Sequence, residues 1–254
     1  MKSFIINLAA LISVAALAPA QSTTWYYGQS DNSANYSVAA DSSQAIDWMD
    51  GWAGGAQKDL SRFGSEGLQV NRPGFFDGNQ SIMMFGFGGI SVASADVTLA
   101  TLYLRQDFSF PTGVQNTWNI VGIASGNDNW DTGSMNWNDI NTGTLADWTG
   151  GDLLGSLTGS YGTFQDLGTS TDSNLAINIT AALQDYLNGS ISGIAFVNSA
   201  PGGNFSADNS FVAFSDDNTT ATNRPGLLVT AIPEPSAAAL AALGLLGIIT
   251  RRRR

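Results

Sequence analysis

The densest chemistry in the chain lies between Gly126 and Gly151. Asn127, Asp128, Asn129 and Asp131 crowd four oxygen-bearing side chains into five positions, the ligand type that a hard cation such as calcium takes. No glutamate closes the loop, so the spacing is not that of an EF-hand. Asp216, Asp217 and Asn218 form a similar cluster further on. Trp130, Trp137 and Trp148 lie in or beside the same long polar stretch. An indole face stacks on the apolar face of a sugar ring, while Asp, Asn and Arg bond its hydroxyls. The chemistry indicated is glycan recognition on an aromatic platform, with calcium as the candidate cofactor. Each feature also has a plainer reading. The oxygen cluster can be a solvated loop, Trp130 and Trp137 can plug the end of a sandwich, and Arg105 and Arg224 can pair with Asp inside the fold.

Catalysis has little to work with. The chain has no histidine and no cysteine, which removes the usual general base, the Ser-His-Asp triad, thiolate chemistry and the common zinc and copper sites. A hydrolase would need paired carboxylates at a set separation. Of 21 acidic residues only Glu66 and Glu234 are glutamate, leaving 21 − 2 = 19 Asp, and most of these stand beside Gly, Asn or Ser, where turn capping is their ordinary use. Sequence selects no catalytic pair, so no enzyme is expected. Between Gln21 and Pro235 only Lys58, Arg62, Arg72, Arg105 and Arg224 oppose the 21 acids, a balance of 5 − 21 = −16. Such a surface repels nucleic acid and anionic lipid.

The elements that must position these residues read as short strands. Gly67–Val70, Ser81–Phe87, Val97–Arg105, Trp118–Ile123, Leu175–Ile179, Ile194–Val197, Phe211–Phe214 and Leu227–Thr230 are apolar or alternating runs divided by Gly, Asn and Asp turns. Val97, Leu99, Thr101, Tyr103 and Arg105 alternate with Thr98, Ala100, Leu102 and Leu104. One short helix is expected over Ala181–Asn188, capped by Thr180 and stopped by Gly189. Good helix formers are otherwise scarce outside the two ends. The expected fold class is all-β: a single jelly-roll-like β-sandwich over residues 21–231, best supported over 65–231.

Both ends read as processing signals. Lys2, an apolar run from Phe4 to Leu17 and the A-x-A site Ala18-Pro19-Ala20 make a secretory signal peptide over residues 1–20, with cleavage after Ala20. Residues 232–254 contain Pro233-Glu234-Pro235, an uncharged stretch from Ala237 to Thr250, and Arg251, Arg252, Arg253 and Arg254. Fourteen helical residues reach about 21 Å, short of a ~30 Å hydrocarbon core. The arginines would stay on the cytoplasmic side, leaving Glu234 outside. The expected tail is an apolar helix inserted transiently in the inner membrane. This three-part pattern resembles the PEP-CTERM family of sorted bacterial proteins. The resemblance implies cutting near the motif by an exosortase and delivery to the cell surface or extracellular matrix of a Gram-negative-type bacterium that makes exopolysaccharide.

The middle of the chain is similar to the DNRLRE-type domain and carbohydrate-binding module family 96. The resemblance is carried by Ile82–Gly86, Ala100–Leu104, Trp130, Thr132 and Trp137, Leu175–Leu187 with Asn178-Ile179-Thr180, and Arg224–Thr230. It departs where Gly86 follows Phe85 in place of Asp. It implies a secreted jelly-roll sandwich that binds carbohydrate or serves surface display. The expected function is therefore that of a non-catalytic, exosortase-sorted surface protein associated with extracellular polysaccharide. The alternatives are a structural or adhesive protein without a specific sugar, and a polysaccharide-acting hydrolase.

Overall fold

Short apolar runs bounded by turn residues become strands because a pleated chain turns successive side chains to opposite faces, and one face can then be buried. In a computed structural model, residues 21–28, 42–44, 47–54, 67–71, 81–110, 113–125, 157–169, 173–197, 210–216 and 218–232 are described. Their strands are β1 (Thr23–Tyr27), β2 (Ser42–Gln44), β3 (Asp47–Gly54), β4 (Gly67–Asn71), β5 (Ser81–Gly88), β6 (Val97–Phe110), β7 (Thr117–Ala124), β8 (Leu157–Thr158), β9 (Thr163–Gln165), β10 (Ser173–Asn178), β11 (Ile191–Val197), β12 (Ser210–Phe214) and β13 (Gly226–Ala231). A single α-helix, α1 (Thr180–Leu187), joins them among the described residues. The architecture is the expected all-β sandwich with one short helix.

The hydrogen-bonded path runs β2-β1-β13-β6-β12-β4-β5-β11-β7-β8, with β10 added to β6, β3 to β5 and β9 to β7. Apart from the parallel β1–β2 pair, the pairings are antiparallel. The path is not flat. β7 and β12 stand four places apart along it, roughly 19 Å in a flat sheet at ~4.8 Å per strand. Yet the rings of Trp118 on β7 and Phe211 on β12 lie 6.2 Å apart, and Phe164 on β9 meets both Phe211 at 5.9 Å and Phe196 on β11 at 4.7 Å. The path therefore folds over itself into two layers with an aromatic core between them. β6 is the hinge strand: its first half pairs with β13 and its second with β12, while β10 runs along it from Thr101 to Gln106.

β6 also corrects the simple alternation. Ala100, Leu102 and Leu104 are buried, but so is Val97, while Leu99 is 38% exposed. A register shift against β13, where Leu99 faces Thr230 and Val97 faces Ala231, places an extra residue in β6. Such a bulge turns the chain by one side chain, so both ends of the strand bury their apolar residues. The helix likewise differs from expectation at its start. It begins at Thr180, and Ile179 holds the N-cap position with no side-chain cap. Asn178 supplies the local bond instead, its Oδ1 accepting from Thr180 N at 3.0 Å. The Thr180 hydroxyl is turned to β6, where its Oγ1 accepts from Ala100 N at 2.9 Å. Gly189 ends the helix with φ +80°.

Two contacts tie the outer pieces to this frame. Tyr26 on β1 is fully buried with its ring over Gly226 at the start of β13; a Cβ at Gly226 would collide with the Tyr26 hydroxyl oxygen and lie 2.6 Å from Cζ. Tyr161, in the turn between β8 and β9, donates its hydroxyl to Asp185 Oδ2 on α1 at 2.7 Å. Burial first, then that bond and the charge of Asp185, push the Tyr161 phenol well above its ordinary value of 10.0. Burial also raises Tyr27, Tyr103 and Tyr186.

Gly226→Ala is expected to cost about 1–3 kcal/mol through overpacking. Adding Tyr26→Phe, which removes the nearest atom, should recover part of the loss, as read by denaturant unfolding of both variants. The tyrosines set an alkaline limit. Unfolded phenols ionise near 10.0 while the folded ones keep their protons. The unfolded state thus binds fewer protons above that pH, and stability present below it is lost as pH rises. A melting temperature followed from about pH 8 to about pH 11 should fall in the upper part of the range, and Tyr161→Phe should make the fall shallower.

Candidate functional site

The most fully connected polar group in the described fold is buried. Asp166, just past β9, has no solvent exposure. Its Oδ1 accepts from Gly168 N at 2.8 Å and Asn116 N at 3.2 Å; its Oδ2 accepts from Asn116 Nδ2 at 3.0 Å and Trp118 Nε1 at 3.0 Å. Gln106 on β6 clamps the next residues, its Oε1 accepting from Leu167 N at 3.0 Å and its Nε2 donating to Thr169 O at 3.2 Å. Gly168 lies between the clamps at φ +62°, and a Cβ there would meet the Val114 carbonyl carbon at 2.9 Å. Four donors saturate the carboxylate, so Asp166 holds the fold rather than offering acid, base or ligand chemistry. The sequence sign was local: an Asp two residues before a Gly makes an Asx turn. Its reach to Trp118, 48 residues away, carried no sign.

The described residues line two surface grooves of note. The first, of about 300 Å³, is lined by Trp25 and Tyr27 of β1, Ser91 to Ala93 and Asp96 of the turn before β6, and Ala231 of β13. Trp25 is half-buried and packs against the core. The groove thus brings Trp25 near Ser91 and one acidic residue, Asp96. The second, of about 540 Å³, lies between Gly88 to Ile90, the end of α1 at Tyr186 and Leu187, and Ile191 and Ser192 of β11. Its aromatic groups are already engaged with each other: Phe87 and Tyr186 meet edge to face at 5.6 Å. Ser192 Oγ donates to Ala124 O at 3.1 Å. Among the described residues, one carboxylate lines the first groove and none the second.

Trp130, Trp137 and Trp148, the cluster Asn127, Asp128, Asn129 and Asp131, the cleavage residues Ala18 and Ala20, and the tail residues Pro233, Glu234, Pro235 and Arg251 to Arg254 all lie outside the described residues. Of the second oxygen cluster, Asn218 is buried and spends its Oδ1 on Thr220 N at 2.9 Å, while its carbonyl accepts from Arg224 Nε at 2.8 Å. The Asn218 backbone carbonyl is thus one partner of Arg224. No group of three or more acidic residues among those described could hold a metal ion. No helix among them is long and apolar enough to cross a membrane. Trp25 lies in β1, before the stretch 65–231 over which the sequence best supports the sandwich.

Comparison with known proteins bears on the C-terminus. Residues 231–254 match the family model described as the PEP-CTERM protein-sorting motif. No curated protein sequence matches the chain. Similar solved structures include latent aurone synthase (polyphenol oxidase) from natural source, at 12% identity and a TM-score of 0.20 over 66% of this chain and 25% of that one. The recombinantly expressed latent aurone synthase gives 12% identity and a TM-score of 0.21 over 66% and 24%. The chain spans about a quarter of the length of those structures, and likeness at that level indicates neither a shared fold nor a shared activity.

The Asp166 network generates a stability prediction. In Asp166→Asn, either orientation of the amide turns an NH₂ toward two donors, so destabilisation of roughly 2–5 kcal/mol is expected. Equilibrium unfolding checks it, with the fluorescence of Trp118 reporting the local change.

Proposed function

We propose that this chain, whose C-terminal motif marks an exosortase-processed, secreted surface protein of a Gram-negative bacterium, is a non-catalytic β-sandwich that associates with extracellular polysaccharide. The observation that carries this reading is the groove at Trp25. Its lining includes the half-buried Trp25, Ser91 and a single acidic residue, Asp96, in an open cavity of about 300 Å³. Glycoside hydrolysis needs two carboxyl groups flanking the bond to be cut. A groove with one acidic residue and a half-buried tryptophan in its lining suits binding better than cutting. The absence of histidine from the chain points the same way.

Charge narrows the ligand. With a balance of −16 over residues 21–235, an acidic polysaccharide would be repelled unless a cation bridged the two surfaces. The favoured partner is a neutral glycan. Calcium at Asn127, Asp128, Asn129 and Asp131 would extend the range to acidic ones. The plainer alternative is display without a specific sugar.

The secreted protein should show a saturable change in tryptophan fluorescence with a neutral polysaccharide from the producing organism. Trp25→Ala should weaken that binding by roughly two- to tenfold, given that a stacked aromatic ring contributes about 0.5–1.5 kcal/mol beyond its buried area. Titration with and without chelator separates the two charge classes. A lack of response to every glycan in both conditions would favour plain display.

A further inference from the structure

Three strands share the end of the sandwich from which the chain departs. Ala231, at the close of β13, pairs with Thr23 at the start of β1 and with Val97 at the start of β6. Ile232 adds one bond more, its N donating to Asp96 O at 3.0 Å. The turn that precedes β6 therefore lies at the same end, and it lines the Trp25 groove together with Ala231.

This end differs from the rest of the chain in charge. Between Gln21 and Pro235 the sequence carries 21 acids and five bases. Residues 21–24, 89–95, 97–99 and 230–232, which build the end, carry neither; Asp96, inside the turn, is the exception. The end is also apolar. Among the described residues the exposed large hydrophobic side chains are Leu99, Val114 and Ile232. Leu99 stands opposite Thr230 on β13, and Ile232 follows Thr230 by two residues. Ala93 and Ala95, in the neighbouring turn, are exposed as well. Val114 lies beyond the opposite end of β6. Apolar residues scattered singly over a surface need no explanation. Their meeting on the uncharged end of an acidic chain marks a surface that faces something other than open water.

The chain beyond this end says what that is. Five Cα steps separate Ile232 from Ala237, where the uncharged stretch begins, so even fully drawn out they span at most about 18 Å. The headgroup layer on one side of a bilayer takes up about 5–8 Å of that reach. With the tail inserted, the end of β13 is therefore held within about 13 Å of the headgroups. A surface kept so close is favoured if it lacks the negative charge that anionic lipid repels and if it offers apolar side chains to the interface.

We infer that the end formed by the start of β1, the turn before β6 and the close of β13 is a bilayer-facing surface, on which the tail-bearing protein rests at the lipid interface through Leu99, Ile232, Ala93 and Ala95. This inference rests on the reading of residues 232–254 as a membrane-inserted tail. The Trp25 groove opens on the same end. The tethered form thus turns it toward the lipid, and loss of the tail frees it.

The chain has no cysteine, so a single introduced thiol carries a fluorophore without competition. Ala95→Cys probes the proposed surface and Val114→Cys the opposite end of β6; both positions are exposed. The tail-bearing protein, isolated from cells that lack a sorting enzyme, is labelled and reconstituted into phosphatidylcholine vesicles, and quenching by aqueous iodide is measured. Reconstitution should bring a severalfold loss of quenching at position 95 and no change at position 114. Adding Leu99→Glu should restore quenching at position 95. Equal quenching at the two positions, on protein that stays with the vesicles, overturns the inference and leaves the reading of the tail intact. Protein that does not float with the vesicles overturns both. Shielding of position 95 that appears in native membranes but not in pure lipid overturns it in favour of a membrane protein as the partner.

Discussion

The hydrogen bond from Trp118 Nε1 to Asp166 Oδ2, 3.0 Å long and fully buried, is the constraint on which the sandwich turns. Trp118 is the largest fully buried side chain in the described fold, and its ring meets Phe211 across the core. An indole brings a polar N–H into any core it fills, and that N–H needs a partner. Asp166 supplies it, but a buried carboxylate is costly unless its own lone pairs are satisfied. Asn116 and Gly168 satisfy them. The result links β7, the turn after β9 and, through Gln106, the hinge strand β6. The two layers are thus held by a polar pin set into the aromatic cluster, and removing Asp166 would take from the buried Trp118 N–H this partner.

From that pin the frame extends in both directions along β6. One half of the strand carries β12 and the Phe211 side of the core; the other carries β13 and, beyond it, β1. The bulge at Thr98, near the start of the strand, reconciles two phases of alternation, burying Val97 before it and Ala100, Leu102 and Leu104 beyond it. The Trp25 groove is a consequence of this arrangement. It forms where β1, the turn preceding β6 and the end of β13 converge. The same convergence seals the last strand against both neighbours. The candidate ligand surface and the point where the sorting signal leaves the sheet therefore share one end of the domain.

This geometry suits a protein that is exported, trimmed and then left outside the cell. With no cysteine it relies on its core rather than on disulfides. Its turns use Asp, Asn and Gly, whose side chains or backbones close locally, as Asn178, Asn188 and Asn218 do toward residues two positions on. The acidic balance of residues 21–235 repels anionic lipid.

Period-two patterning made the β class and most strand positions legible in the sequence: β4, β5, β7, β10, β11, β12 and β13 all lie on runs read as strands. The helix was legible too, because Leu183 and Leu187 recur at helical spacing before a glycine. The sorting motif needed no fold at all, since it is read as a linear signal. What local pattern does not encode is which residues meet at long range. The bulge in β6 depends on its partner β13, 132 residues away at the Thr98–Thr230 contact. The Thr180 hydroxyl, a plausible cap by sequence, was claimed by the backbone of β6. The role of Asp166 depended on Trp118 and Asn116 arriving from another strand, and the Trp25 groove on three segments brought together from opposite ends of the chain. Alternation and turn chemistry act over a few residues and are written in the chain. Pairing, closure and the shape of a groove arise from the packing of distant surfaces, and only the folded sandwich decides them.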